Sequence, residues 1–389
     1  MMLGFLLARA GIRVTVLEKH ADFFRDFRGD TVHPSTLEIL YELGVLDQFL
    51  RLPHSKVRTI TGQIGATTLR LADFSHLPGH CQFLVLMPQW DFLNFLAERA
   101  RAHAVFRLEM QAEVTAPLFE GETVRGVRVR TPAGERELRA DLVVAADGRD
   151  SHVRAAAGLL ASDFGAPMDV LWMRLSRRPG DPEQLFGRFD FGRIFVMLDR
   201  GDYWQCGLVI PKGGLTEIQQ RGIAALRADI VELNPFLSDR VGELRQWDDI
   251  KLLTVQVNRL REWCRPGLLC IGDAAHAMSP IGGVGINLAI QDAVAAANIL
   301  IPSSRRGSTI ALAALRRVQR RRELPTRITQ RAQLLIQNLL IRRVLGRRER
   351  AKPPLILRVL GASPMLQRIP ARLIGLGFRR EHVTTLADT

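Results

Sequence analysis

Between Arg265 and Leu300 the chain reads RPGLLCIGDAAHAMSPIGGVGINLAIQDAVAAANIL. The apolar run Leu268–Ile271 has the length of a strand and delivers Gly272-Asp273. Nine residues later Gly282, Gly283 and Gly285 open a long alanine-rich segment of helical composition. Strand, glycine loop and helix in that order make a nucleotide-binding α/β unit. Glycines let the backbone approach a flat anionic ligand, and the helix start offers free N–H groups and the positive end of its dipole. A carboxylate repels phosphate, so Asp273 is expected to accept hydrogen bonds from ligand hydroxyls. A ligand with both a polyol and an electron-rich ring is a flavin, with Asp273 on the sugar chain and the helix start at the pyrimidine edge of the isoalloxazine.

Two further stretches have the same character. In ADLVVAADGRDSHVR the strand Leu142–Ala145 runs into Asp147-Gly148, with Ser151 and Arg154 behind it. A strand ending in Asp-Gly puts a carboxylate and a flexible backbone at the carboxyl edge of a parallel sheet, where nucleotides bind. The N-terminal MMLGFLLARAGIRVTVLEKH reads as a helix, a break at Gly11 and a strand, Ile12–Leu17, ending on Glu18. That is the second half of a βαβ unit with its terminal acid. Gly4 and Gly11 keep the last spacing of the longer flavoprotein fingerprint, and counting back puts its third phosphate-loop glycine one position before Met1. The first strand and the three loop glycines are therefore expected upstream of residue 1, as from a start codon called too late or a truncated gene. A signal peptide fits less well, because Arg9 lies at the wrong end of a short apolar run.

These three stretches resemble the group A flavoprotein monooxygenases, the aromatic hydroxylases with the p-hydroxybenzoate hydroxylase fold. The resemblance implies an α/β chain: an FAD-binding Rossmann-like domain with a parallel sheet, interleaved with a mixed or antiparallel substrate sheet, and followed by C-terminal helices. The expected division is 1–70, 88–165 and 260–310 for FAD, 71–87 and 166–259 for substrate, and 311–389 for a basic helical region. It also implies roles for single residues. Glu18 should bind the adenosine ribose, Arg28 should lie near the FAD pyrophosphate, and Gln89 near the flavin side chain. Asp147 and Gly148 should serve FAD and NAD(P)H, with Arg154 holding their loop. Gly272 and Asp273 should meet the ribitol, and Pro280, Gly282, Gly283, Gly285 and Asn287 should surround the isoalloxazine. His276 is expected to support these residues rather than act as acid or base.

The implied function is FAD-dependent hydroxylation of an aromatic or similarly electron-rich small molecule, with NAD(P)H and O2, through a flavin C4a-hydroperoxide. In such chemistry the cofactor carries the hard steps and the protein positions. No catalytic residue is nominated and no metal is expected. Two other readings share the flavin motifs: a flavin-dependent reductase or dehydrogenase that needs no O2, and a non-enzymatic truncated remnant. The substrate pocket is expected on residues 170–210 and 245–257, with Phe195, Met197, Trp204 and Gln205 as candidates. Residues 57–86 and 105–140 read as short strands, Ser35 with Glu38 as a capping box on a helix striped by Leu37, Leu40, Leu43 and Leu46, and Pro88 as a helix start.

Charge matters once it is located. The net charge of +14 resides in the tail: residues 305–350 hold fourteen arginines against two acids, and the body to residue 304 is close to neutral. With no aromatic residue between Arg305 and Arg350 for base stacking, nucleic acid is not an expected partner. A basic helix from Pro325 through PTRITQRAQLLIQNLLIRRVLGRR, carrying Ile328, Leu335 and Leu339, admits peripheral contact with an anionic membrane. The favoured expectation is that its apolar face packs on the flavin domain. No apolar run is read as membrane-spanning. Cys81, Cys206, Cys264 and Cys270 lack metal-ligand spacing and are expected to be reduced, buried thiols of a cytoplasmic enzyme.

Overall fold

The computed structural model describes residues 1–24, 31–182, 187–305, 310–338, 345 and 351–385. The expected apolar runs form short parallel ladders. Val14–Leu17 pairs parallel with Phe106–Glu109, and Val143–Ala145 pairs parallel with Leu268–Cys270. Helices cover them because such strands carry apolar side chains on both faces. The N-terminal helix Met2–Arg9 packs through Met2, Phe5 and Leu6 into the core shared with Gln89–Arg101 and Gly285–Ser304. Gly4 permits this approach: a Cβ there would stand 2.7 Å from a methyl of Val16.

The second sheet has seven strands, in the order Lys251–Leu253, Met168–Ser176, Tyr203–Pro211, Arg193–Asp199, Gly187–Asp190, Thr59–Ile64 and Thr67–Asp73. All its pairings are antiparallel except that of Gly187–Asp190 with Thr59–Ile64. It thus begins at Thr59, ahead of the division expected at residue 70. A hairpin turns at Asp199–Asp202, with Asp199 opposite Trp204.

Local expectations hold where the signal is periodic. Leu37, Leu40, Leu43 and Leu46 are all buried, and the helix Gln89–Arg101 starts directly after Pro88. The capping box at Ser35 is not formed. Pro34 occupies the first turn and His33 is the N-cap, while Ser35 lies inside the helix with its Oγ toward Gln291. Glu38 is taken instead by the backbone N–H and ring of His80. A proline fits the first helical position because its missing N–H would have had no helical partner there.

The central segment Ile281–Ser304 is, against expectation, long and apolar enough to cross a membrane by length and composition, but 67% of its apolar 18-residue stretch is buried inside the protein. It is the core helix, packed between Met2–Arg9 and Leu312–Ile336.

That last helix corrects the reading of the tail. It starts at Leu312 and runs through Pro325. Its inward stripe is apolar only at first, with Ala314, Leu315 and Val318, and then becomes Arg322, Gln330, Gln333 and Gln337. Leu335 and Ile336 are exposed, Ile328 is half-buried, and Leu339 lies outside the described residues. The helix does pack on the parallel-strand side of the molecule, against Gly285–Ser304 and Cys264–Arg265, but largely through polar groups.

Candidate functional site

The carboxyl ends of the parallel strands and one face of the seven-stranded sheet enclose a cavity of about 2760 Å³. Glu18, Gln89, Asp147, Gly148, Gly272, Asp273, Pro280, Gly282, Gly283 and Gly285 all line it, although they come from five separate stretches of chain. Arg154 and Asn287 do not line it, and Arg28 lies outside the described residues.

The floor is the turn before the central helix. Gly282 and Gly283 have φ of 76° and 62°, and a Cβ on Gly283 would stand 2.9 Å from Thr31 Oγ1. The backbone is thereby bared to the cavity, and the first amides of the Gly285–Ser304 helix lack helical acceptors. A Gly283→Ala variant is expected to lose about 1–2 kcal/mol of stability from the left-handed backbone alone, read from the urea midpoint.

Asn287 does not line the cavity; its side chain holds this turn. Its Oδ1 accepts from the His33 N–H at 2.9 Å and from Thr36 Oγ1 at 2.8 Å, and its Nδ2 donates to the carbonyls of Thr31 and Gly283 at 3.0 and 3.1 Å. With all its amide groups engaged, it ties the Thr31–Thr36 segment to the helix start. His33 continues the tie: its Nδ1 lies 2.7 Å from the carbonyl of Ile374. A carbonyl only accepts, so Nδ1 carries the proton. Burial pushes the His33 ring down to about 4, against the smaller opposing effect of hydrogen bonds to Ile374 and Gly282.

The two aspartate loops are joined by arginines. Arg154 donates to the carbonyls of Ala274 at 3.1 Å and Arg149 at 2.7 Å, and Ser151 Oγ accepts from the Arg154 N–H, capping the helix His152–Ala156. Arg149 in turn donates to the Thr254 carbonyl at 2.9 Å and stands 3.9 Å from the Asp273 carboxylate. Asp273 thus reaches the cavity beside a cation, with its side chain 36% exposed and accessible to hydroxyl donors. Glu18 ends its strand at the cavity and accepts from the His20 N–H at 3.0 Å.

Beneath Gly272 lies a buried polar cluster. Asp292 accepts from the Gly272 N–H at 3.0 Å and from Arg322 Nε at 2.9 Å, and it sits 2.6 Å from His276 Nε2. Arg322 also reaches Glu381 at 3.2 Å. Burial pushes the Asp292 carboxyl up, but His276 and Arg322 outweigh it and hold the group below its usual range. His276 is buried in this cluster against Asp292, beneath Gly272.

The glutamines of the Leu312–Ile336 helix and just beyond complete the scaffold. Gln330 donates to the carbonyls of Asn258 and Ala277, Gln333 to those of Ser279 and Ile281, and Gln337 to Ser279 Oγ. These residues hold the Ala277–Ile281 stretch that leads into the glycine turn. Sequence reasoning missed them; the available signal was Gln330, Gln333 and Gln337 at three- and four-residue spacing.

The opposite wall is apolar, built from Val170, Trp172, Ile194, Val196, Leu198 and Val209. Phe195, Met197 and Trp204 point the other way, into a separate core with Leu226 and Ile230, and Gln205 accepts from Arg200. Phe195, Met197 and Trp204 thus lie on the face turned away from the cavity, whereas Gln205, next to Trp204 in its strand, lies on the other face, because neighbouring residues of a strand point to opposite sides of the sheet.

A family described as FAD binding domain matches residues 1–332. The 6-methylpretetramide 4-monooxygenase of Streptomyces rimosus is 35% identical over 340 residues, covering 86% of this chain and 81% of that protein. Among solved structures, p-nitrophenol 4-monooxygenase PnpA from Pseudomonas putida DLL-E4 superposes with a TM-score of 0.77 at 19% identity, covering 95% of this chain and 93% of that one. The OxyS anhydrotetracycline hydroxylase from Streptomyces rimosus gives 0.73 at 24% identity, covering 96% of this chain and 73% of that one.

Proposed function

The chain belongs to the FAD-binding-domain family of flavoprotein monooxygenases with the group A fold, and from that premise we propose that it uses NAD(P)H and O2 to hydroxylate an aromatic or similarly electron-rich small molecule. It is an FAD-dependent oxidoreductase. One observation carries the reading furthest: the glycine turn 280–285 and the Asp147 and Asp273 loops converge on one cavity whose opposite wall is an apolar sheet face.

The residues fit a flavin. The left-handed glycines form a cradle that side chains would fill, the helix start favours negative charge on the ring, and Asp273 offers a carboxylate to hydroxyls. When bound, FAD supplies the redox chemistry that passes electrons from NAD(P)H to oxygen. The chain's own residues bind, orient and exclude water. The glycine turn is held at fixed height by Asn287 and the three glutamines, and the valines and isoleucines of the sheet keep the facing space dry. Among the described residues of that sheet, the only titratable side chain on the cavity is Lys251, so positioning rather than acid-base work is the assigned role of this wall. The relative acts on a 6-methylpretetramide, and this supports an aromatic compound of that kind as the substrate class.

The cysteines support a cytoplasmic setting: all four are free and buried, and burial pushes the thiols of Cys264 and Cys270 up to about 11 and about 12.

The test begins with the visible spectrum of the purified chain and proceeds to NAD(P)H oxidation with candidate aromatics. Flavin absorbance with substrate-stimulated, O2-dependent oxidation is the expected result. Equal oxidation without O2 would instead make the protein a reductase or dehydrogenase. Asp273→Ala is expected to weaken FAD binding by about 10- to 100-fold, the value of a charged acceptor in a hydrogen bond, measured by flavin fluorescence titration.

A further inference from the structure

Two short helices near the C-terminus, Leu355–Ala362 and Pro364–Gly375, have a double aspect. Leu357, Leu360, Pro370 and Ile374 line the large cavity. On the other side Leu355, Ile356 and Val359 of the first helix and Met365, Ile369 and Leu373 of the second face outward, with Ile356 and Met365 each 74% exposed. These positions recur at three- and four-residue spacing, so the outward apolar residues form one stripe along each helix. Exposed apolar residues gathered in this way mark an interaction surface rather than ordinary scatter.

The charge around the stripe chooses the occupant. From Ala351 to Arg380 the sequence has six lysines and arginines and no acid. Lys352, Arg358, Arg368, Arg372 and Arg379 are exposed. The next acid, Glu381, is buried and committed to Arg321 and Arg322. A second copy of the chain would set the same patch, and hence like charges, against itself. An anionic lipid surface complements both properties, since arginines reach headgroup phosphates while neighbouring leucines and isoleucines enter the acyl boundary. We propose that these two helices dock the enzyme on an anionic bilayer, their cavity-lining residues forming the wall between the active-site space and the lipid. The stretch that suggests membrane contact in the sequence, from Pro325, is not the one used. Its described part is engaged with the parallel-strand side of the molecule.

The proposal does not depend on bound flavin or on turnover. The full chain is pelleted with phosphatidylcholine vesicles, with or without phosphatidylglycerol, and its oligomeric state is read by sedimentation velocity without lipid. Binding to the anionic vesicles, weakened by salt, is expected. Arg358→Gln/Arg368→Gln/Arg372→Gln should weaken it by about a hundredfold. Ile356→Glu/Ile369→Glu, at exposed positions that leave the folded spectrum unchanged, should weaken it by about tenfold or more. Absence of binding to anionic vesicles, or binding that both variants retain in full, overturns the proposal. So does a lipid-free dimer that Ile356→Glu/Ile369→Glu dissolves, because the stripe would then belong to a second copy.

Discussion

An Arg322→Ala variant unfolds about 3–5 kcal/mol more easily than the wild-type chain. Arg322 and Asp292 are both fully buried, and the arginine stands between two carboxylates, Asp292 at 2.9 Å and Glu381 at 3.2 Å. Removing the guanidinium leaves Asp292 with His276 and the Gly272 amide alone, and Glu381 with Arg321 alone. The loss is that of an uncompensated buried charge, which is why it exceeds what an exposed ion pair contributes. The measurement is the urea midpoint at neutral pH, with the denaturant slope unchanged. A shift below about 1 kcal/mol would show that the cluster relaxes and hydrates. Because Asp292 also holds the Gly272 amide, the same variant should loosen the loop that presents Asp273.

The second large effect is a pH dependence assigned to His33. In the fold its ring is pushed down to about 4 by burial, whereas in an unfolded chain a histidine titrates near 6.5. Between these values the unfolded chain binds a proton that the folded chain does not, so stability rises with pH across that window. Acidification from about pH 6.5 to about pH 4 therefore removes about 3 kcal/mol through this one group, and the loss levels off below. His33→Asn should abolish that component: the difference between wild-type and variant unfolding free energies, followed from pH 7 to pH 4.5, should change with pH in this direction. A difference independent of pH would mean that the ring is not held neutral. Protonation takes place at Nε2, because Nδ1 already donates to the Ile374 carbonyl, so the bond to the helix Pro364–Gly375 is kept while the buried ring gains a charge.

Much of this site is legible in the amino-acid sequence, and the reason is local. Gly282, Gly283, Gly272 and Gly148 all adopt positive φ, and the Gly-Asp and Asp-Gly pairs follow their apolar strands directly. Such signals are written within a dozen residues, because backbone conformation and strand-to-loop transitions depend on neighbours in sequence. The Leu37 to Leu46 stripe and the helix start at Pro88 are equally local. Ser35 shows the limit even there: a capping box is a pattern of two residues, and Pro34 with His80 decides otherwise.

What the chain's order does not reveal is which partners distant segments provide. Alternation identifies the strands of residues 168–211 but not which face meets the cavity, since period two is satisfied either way until helices cover one side. Family resemblance puts Asn287 against the ligand, yet its amide finds four partners in residues 31–36 and 283. The leucines of the tail helix suggest an apolar seam, but it packs by its arginine and glutamines, because carbonyls at Asn258, Ala277, Ser279 and Ile281 await donors across more than fifty residues of sequence. The glycine turns, the acid-ended strands and the basic tail thus follow from the order of residues alone. How the buried polar groups are satisfied is settled only in the folded molecule, because a hydrogen-bond donor hidden from water must find its acceptor wherever the fold brings one.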